Sequence, residues 1–258
     1  MSSPLPDKTP TRLVAKVAAQ VSFLQSAAKV AQLPRPNVPE IAIAGRSNAG
    51  KSTALNVICE RRRMAFASKT PGRTRLINLF SLNWQNQELG RLVDLPGYGY
   101  AAVDAGTLRA WQQELSRYLA GRQNLSGLIL VTDIRHALGP LDRQMLAWFG
   151  QRRRPVHLLL TKADKLNRAD QQRALAKAQT AIEAADPDWG QPVTVSLFSG
   201  LRRTGRDEIL DRISLWLGLE ASGPEIEQKK AGSSAAGDNA FVKAPAQGGE
   251  AGDMTSVV

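Results

Sequence analysis

The stretch IAIAGRSNAGKSTALNVI, residues 41–58, limits this chain to a small set of folds. Four apolar residues read as a buried strand. They run into Gly45, four further residues (Arg46, Ser47, Asn48, Ala49), and then Gly50, Lys51 and Ser52. That spacing is the phosphate-binding loop pattern, a strand followed by a glycine-rich turn and a helix. Glycine lets the backbone curl until successive N–H groups point inward at an anion. Lys51 is placed to reach β- and γ-phosphates, Ser52 offers a hydroxyl to Mg²⁺, and the helix adds its positive N-terminal end.

From Glu40 onward, strand-like and helix-like segments alternate. Apolar runs at 41–44, 76–82, 91–93, 127–132, 156–160 and 193–197 predict six strands. Helix-like stretches fall at 51–60, 107–121, 141–150, 169–185 and 205–217, and in the second of these Leu108, Trp111, Leu115, Tyr118 and Leu119 recur at helical spacing. Such alternation predicts an α/β domain, a mostly parallel six-stranded sheet with helices on both faces. No helix separates 76–82 from 91–93, so one hairpin and one antiparallel edge strand are expected.

Before this core, residues 11–33 carry Leu13, Val17, Val21 and Leu24 near helical spacing, and LPRPNVP then breaks any helix. Between Lys8 and Pro39 the charges are all basic. That fits an organellar transit peptide or an amphipathic segment packing on the domain, the second being preferred. The expected division is a flexible leader at 1–20, a domain at 21–218, and a tail at 219–258, whose Gly, Ala, Ser, Gln and Lys cannot repay the entropy of ordering.

A net charge of +11 in 258 residues and a pI near 10.2 favour a polyanionic partner such as RNA, DNA or an anionic membrane surface. The arginine clusters 61–63, 152–154 and 202–203 read either as solvated faces or as an RNA-facing surface, and fit the latter better with this charge. No apolar run reaches the ~20 residues of a membrane span. The single cysteine, Cys59, excludes an internal disulfide, fits a reducing cytoplasm, and sits in NVIC as a core thiol.

Three more boxes follow strands in order. VDLPG brings Asp94 to the Mg²⁺ shell and, past Leu95 and Pro96, Gly97 to the γ-phosphate. LLLTKAD (158–164) ends in Asp164, whose carboxylate can accept from the N1–H and amino group of guanine; adenine offers no such donor pair. The stem of Lys162 can cover the base. SLFSG (196–200) can offer backbone N–H groups to the guanine oxygen. Between the phosphate loop and VDLPG, SKTPGRTRLINLF (68–80) carries Thr70 and Thr74, which could close on Mg²⁺ when a γ-phosphate is present; a flexible basic loop is also compatible with it.

FLQSA, PEIAIAGRSNAGKSTALN, SKTPGRTRLINLF, LVDLPGYGYA, DIRHALGPLD, LLLTKADKLNR and VSLFSGLRRTG together resemble the EngB (YihA/YsxC) family of bacterial GTPases over about Val21 to Leu217. The resemblance implies a Ras-like P-loop GTPase fold, Mg²⁺-dependent GTP and GDP binding, a role in assembling the large ribosomal subunit, and a link to division and septation. It implies that Gly45 to Ser52 bind phosphates, with Ser52 and Thr74 as Mg²⁺ ligands. Gly72, Arg73, Thr74, Arg75 and Leu76 form the ordered switch, and Asp94 to Gly97 the γ-phosphate sensor. Thr161, Lys162, Ala163 and Asp164 read the base, and Phe198, Ser199 and Gly200 complete its pocket. Lys51, Thr74 and Gly97 are the residues expected to act on the γ-phosphate. Arg75 stands where the family commonly has Gln. In related GTPases an Asn at the position of Asn48 helps hold K⁺; the alternative is an Asn that only shapes the turn.

Tyr98 follows DLPG where many GTPases carry the Gln that orients water, so intrinsic hydrolysis should be slow; Tyr98 and Tyr100 can instead pack on the neighbouring helix. His136 reads as structural or partner-contacting rather than catalytic. The expected protein is a cytoplasmic monomer, without stable membrane insertion, that binds the large subunit or its precursors. The competing readings are a GTPase acting directly in septation at the membrane, and a metabolic nucleotide-dependent enzyme, for which no residues remain to build a second pocket.

Overall fold

The computed structural model describes residues 9–62, 64, 76–99, 105–150, 153–184 and 192–219. In chain order the elements are α1 (Thr9–Ala19), β1 (Ser22–Ala27), β2 (Glu40–Gly45), α2 (Lys51–Ile58), β3 (Ile77–Trp84), β4 (Gln87–Asp94), α3 (Ala105–Gly121), β5 (Leu125–Asp133), α4 (Pro140–Gly150), β6 (Val156–Thr161), α5 (Arg168–Glu183), β7 (Val193–Leu197) and α6 (Arg206–Leu217), with short 3₁₀ turns at Val30–Gln32, Ile134–His136 and Ala163–Lys165. One seven-stranded sheet runs β1-β3-β4-β2-β5-β6-β7. Strands β4, β2, β5, β6 and β7 are mutually parallel, while β3 is antiparallel to both β4 and β1.

Alternation along the strands feeds two cores. Ile41 and Ile43 of β2 face a layer built by Val14 and Val17 of α1, Leu55 and Ile58 of α2, and Ile209 and Ile213 of α6. Ala42 and Ala44 face the opposite layer, with Trp111, Leu115, Tyr118 and Leu119 of α3 and Met145 and Phe149 of α4. Cys59 is buried in the first layer, where burial pushes its thiol up to about 12, so it is inert core.

The α/β class, the hairpin and every central element follow the expectation. The strand count does not: the sheet has seven strands rather than six, and the antiparallel strand β3 lies one in from the edge because β1 covers it. The helix expected over 11–33 stops at Ala19, and residues 22–27 pair with the outer side of β3, Ala27 opposite Ile77. The i, i+4 series Leu13, Val17, Val21 holds as a helix face only to Val17. Beyond it, the free backbone edge of β3 outweighs local periodicity, as strand pairing commonly does. Residues 9–19, assigned to a flexible leader by composition, form a helix with Val14 and Val17 fully buried. The tail after Glu220 lies outside the described residues.

At the N-terminal end of the sheet, Glu40 is fully buried and bound by two arginines. Arg122 donates from Nε and Nη2 at 2.9 and 2.6 Å, Arg91 from Nη1 at 3.4 Å, and the Tyr118 hydroxyl at 3.1 Å. Arg91 is anchored in turn on Glu88 and Asn37. The cluster ties β2, β4, α3 and the 34–39 segment at the end away from the loops described next.

Candidate functional site

The parallel order places β4 and β5 on opposite sides of β2, so the chain winds away from β2 in both directions. Open α/β sheets bind ligands in the crevice at such a switch point, beyond the carboxyl ends of the strands. The loops after β2, β4, β6 and β7 are there, and they hold the sequence-derived boxes.

The loop from Gly45 to Ser52 is seated by contacts that only small residues permit. A Cβ on Gly45 would fall 2.6 Å from the Val131 carbonyl oxygen, and Gly50 adopts φ +96° where it caps α2. Asn48, also left-handed at φ 65°, lies at the exposed tip. The Thr161 hydroxyl reaches the Ala49 carbonyl at 2.5 Å and that of Thr132 at 3.0 Å, which pins the loop to β5 and β6. Thr161, expected among the base-reading residues, therefore spends its hydroxyl as a buried strut.

Asp94 ends β4 opposite Ile43. Lys51 Nζ donates to its Oδ1, and Asn78 Nδ2 to Oδ2 at 3.3 Å. Asn78 also accepts from the Ser26 hydroxyl at 2.7 Å, so a chain Ser26–Asn78–Asp94–Lys51 joins the sheet edge to the loop. Leu95 is buried, and its N–H extends pairing to Ile43 at 3.0 Å. Gly97 packs against Ser47, where a Cβ would meet the Ser47 Oγ at 3.2 Å. The close-packed glycines, the lysine on the Asp94 carboxylate, and the Ser52 hydroxyl on the first turn of α2 fit a phosphate chain with Mg²⁺. Ser52 is exposed and its hydroxyl oxygen is a hard donor suited to that ion. Gly72, Arg73, Thr74 and Arg75, and Thr70 with them, lie outside the described residues; Leu76, just before β3, is exposed.

Tyr98 does not face the loop tip. Its ring is buried and its hydroxyl donates to the Asp142 Oδ1 at 2.7 Å. Burial, then the Asp142 carboxylate, push the phenol far above its ordinary range. Asp142 also accepts from the Gly139 N–H at 3.0 Å. Of the two expectations for Tyr98, packing on the neighbouring helix describes it. Tyr100 lies outside the described residues, and His136 is exposed on the turn after β5.

After β6, Lys162 takes a left-handed backbone (φ 59°) and its Nζ donates to the Asn48 carbonyl at 2.8 Å. Two residues on, one Asp164 oxygen accepts from the Ser199 hydroxyl at 2.6 Å. Ser199 is itself buried and accepts from the Arg202 N–H at 3.0 Å. The backbones interlock: Phe198 donates to Leu160 at 2.8 Å and Ala163 to Phe198 at 3.1 Å. Ala163 and Phe198 are buried, so they contribute framework rather than contact surface. Gly200 completes the turn, with Thr53 of α2 so close that a Cβ would lie 2.3 Å from its methyl.

Sequence reasoning passed over Asp133, Asn78 and Asp142. Asp133 had a signal: VTD ends a strand with an acid, as VD and LLLTKAD do. It lies opposite Thr161 on the neighbouring strand, with Lys162 Nζ 2.9 Å from its Oδ2. Arg135, and then Lys162, hold its carboxyl well below the usual carboxylate range against the opposing effect of burial. Asn78 and the link from Asp142 to Tyr98 have no local signal, because those partners are 16 and 44 residues away.

A family model described as 50S ribosome-binding GTPase matches residues 40–162. The chain is 49% identical over 199 residues to a probable GTP-binding protein EngB of Burkholderia cenocepacia (strain HI2424), across 77% of this chain and 91% of that one. It is 49% identical over 197 residues to the like-named protein of Aromatoleum aromaticum, across 76% and 88%. Among solved structures, a probable GTP-binding protein engB matches with a TM-score of 0.54 at 19% identity, covering 70% of this chain and 99% of that one. Translation elongation factor SelB from Methanococcus maripaludis, in complex with the GTP analogue GppNHp, matches at 0.50 and 16%, covering 70% and 34%. At those identities the structures speak to fold alone. With half of its aligned residues identical to those relatives over three quarters of its length, and with the Gly45–Ser52 loop and Asp164 at one crevice, the chain belongs to the EngB family of GTPases.

Proposed function

We propose that this protein is a GTP-dependent switch with slow intrinsic hydrolysis that assists assembly of the large ribosomal subunit. The observation that carries the nucleotide assignment is Asp164, held by buried Ser199 at a strand end beside the phosphate loop. Among the described residues its second oxygen has no protein partner, so the carboxylate can accept from the guanine N1–H and amino group. An adenine would leave it unpaired.

Gly45 to Gly50 wrap the phosphates with backbone N–H groups, Lys51 bridges the β- and γ-phosphates, and the Gly97 N–H reports the γ-phosphate. Ser52 and Asp94 would hold Mg²⁺, with Thr74 as the further ligand that the resemblance implies. An ion held there would supply positive charge against the phosphate oxygens. Slow hydrolysis follows from Tyr98: a buried phenol committed to Asp142 neither orients nor deprotonates a water. Completion of the site then falls to a partner or to K⁺ held near Asn48. Equal hydrolysis in KCl and NaCl at one ionic strength would remove the K⁺ arm.

The ribosomal assignment is supported by the +11 charge, the exposed arginines 61, 62, 202 and 203, and the description of the matching family model. Arg61 and Arg62 follow the end of α2, and the segment that carries Arg202 and Arg203 runs past the same helix. Gly200 packs on Thr53 at the start of α2, and Arg206 donates to the Val57 and Ile58 carbonyls at its end, at 3.0 and 3.1 Å. We place the protein in the cytoplasm as a monomer. Among the described residues no helix is long and apolar enough to cross a membrane.

Sedimentation with purified large subunits, with GDP or a non-hydrolysable GTP analogue, at 50 and 200 mM salt, tests the reading. Tenfold preference for the GTP form requires about 1.4 kcal/mol of differential affinity, and several phosphate contacts make binding weaken steeply with salt. Nucleotide-indifferent binding would leave a basic RNA binder without a switch. Binding to anionic vesicles and not to subunits would favour direct action in septation.

A further inference from the structure

We infer that Asp133 is a positioning residue of the base pocket: with the Asn48 carbonyl it fixes the ammonium of Lys162, and so lays that side chain's aliphatic stem where it covers the face of a bound guanine. The inference rests on the guanine-nucleotide reading above and assigns a role outside the four boxes that carry it.

A lysine stem has four rotatable carbons and, left alone on a surface, samples many rotamers. Lys162 is held at both ends. Its backbone is fixed in the left-handed region at φ 59°, and its Nζ donates at 2.8 Å to Asn48 and lies 2.9 Å from the Asp133 Oδ2. The carbonyl is a neutral acceptor; the carboxylate makes a charge-assisted bond, the stronger of the two kinds. Asp133 can supply it because it is itself locked. Its Oδ1 accepts from the Arg135 N–H at 3.1 Å and from Nε at 2.9 Å, and its Oδ2 from Nη2 at 2.7 Å. That grip presents Oδ2 to Lys162 in one orientation. The Asp133 side chain is 12% exposed while Arg135 is 47% exposed, so the arginine forms the outer clamp and the lysine the inner contact.

Asp133 has a second use, since accepting from the Arg135 N–H caps the short turn Ile134–His136. Asp133→Asn keeps an oxygen for that cap and removes the charge, which separates the two roles. Fluorescent N-methylanthraniloyl GDP and GTP are titrated into the full chain as wild type, Asp133→Asn, Lys162→Met and the double variant, with thermal melting of each. The expected result is a roughly tenfold weakening of GDP and GTP alike in Asp133→Asn, with melting unchanged. In the double variant no further loss appears beyond Lys162→Met, because coupled residues are not additive. Unchanged affinity in Asp133→Asn, or losses that multiply in the double variant, overturns the inference while the pocket stands. A wild type that binds ADP as tightly as GDP overturns the pocket reading, and the inference with it.

Discussion

His157 lies on β6 with both ring nitrogens engaged by β7, Nδ1 at 2.8 Å from the Thr194 Oγ1 and Nε2 at 2.9 Å from the Ser196 Oγ. Thr194 gives its own proton to the Val156 carbonyl at 3.3 Å. Nδ1 therefore carries the ring hydrogen and Nε2 accepts from Ser196. Burial, and then Arg212, lower the imidazole from its ordinary 6.5 to about 4. Between those values the unfolded chain binds a proton that the folded chain refuses, so acidification through that window favours unfolding. Each pH unit in the window is worth about 1.4 kcal/mol, which makes the loss at pH 5 about 2 kcal/mol relative to pH 7.5. His157→Gln can keep one acceptor and one donor between the two hydroxyls but does not titrate. Urea unfolding of wild type and His157→Gln at pH 7.5 and 5.0, read as a two-state transition, should show wild type losing about 2 kcal/mol more than the variant on acidification. Glu88 and Glu114, whose carboxyls are held below their usual range by Arg91 and by the Val30 N–H, respectively, act alike in both proteins and cancel. Parallel pH dependences would refute the argument.

Asp164→Asn replaces an acceptor oxygen by a donor and should cost GTP affinity roughly a hundredfold, from the net worth of hydrogen bonds to a charged group, while xanthosine triphosphate binds better; equal losses for both nucleotides would count against a guanine contact. Gly45→Ala puts a methyl 2.6 Å from a backbone oxygen that cannot rotate away; overpacking of this kind costs about 1–3 kcal/mol, so melting should fall and calorimetry should detect no GTP binding. Tyr98→Phe leaves buried Asp142 without one donor and should destabilise by about 1–3 kcal/mol, yet leave single-turnover GTP hydrolysis within a few-fold of wild type. A hydrolysis rate abolished in a folded Tyr98→Phe variant would put that hydroxyl in the chemistry.

What the sequence made legible was whatever a short stretch encodes by itself. The loop at 45–52 is a covalent pattern whose glycines are needed where they stand, and the strands and helices from residue 40 onward are set by apolar period. β1 was illegible because SFLQSA is a strand only by virtue of the β3 edge; Phe23 and Leu24 are both exposed there, across an irregularity in register, so no alternation marks it. Glu40 reads as an unremarkable charge before a strand, since its arginines arrive from 51 and 82 residues further along the chain. Asp133 was within reach: the same strand-then-acid construction was used at Asp94 and Asp164.

The two ends of the sheet are held by different contacts, and that difference bears on how such a site can work. Away from the site, Glu40 is fully buried, but its oxygens are covered by Arg91, Arg122 and Tyr118. A buried charge cluster of this kind adds little net stability, yet losing one partner costs about 3–5 kcal/mol, so the arrangement is rigid and unforgiving. At the carboxyl end, the loops meant for phosphate and base carry left-handed backbone, as the β3–β4 turn at Gln85 and Asn86 also does. Asn48, Gly50 and Lys162 all have positive φ, and two of them are joined by the bond from Lys162 to the Asn48 carbonyl. Left-handed residues turn backbone polar groups away from helix and sheet ladders, which is what a loop needs if its N–H groups are to meet phosphate rather than one another. Such conformations cost of order 1–3 kcal/mol each at non-glycine positions and persist only where the surroundings enforce them. Here the enforcing groups are the Thr161 hydroxyl on Ala49 and the Lys162 head between Asn48 and Asp133. Strain at the crevice is thus held by contacts that reach into β5 and β6, so a change at Asp133 or Thr161 should be felt first in nucleotide affinity and only second in the fold.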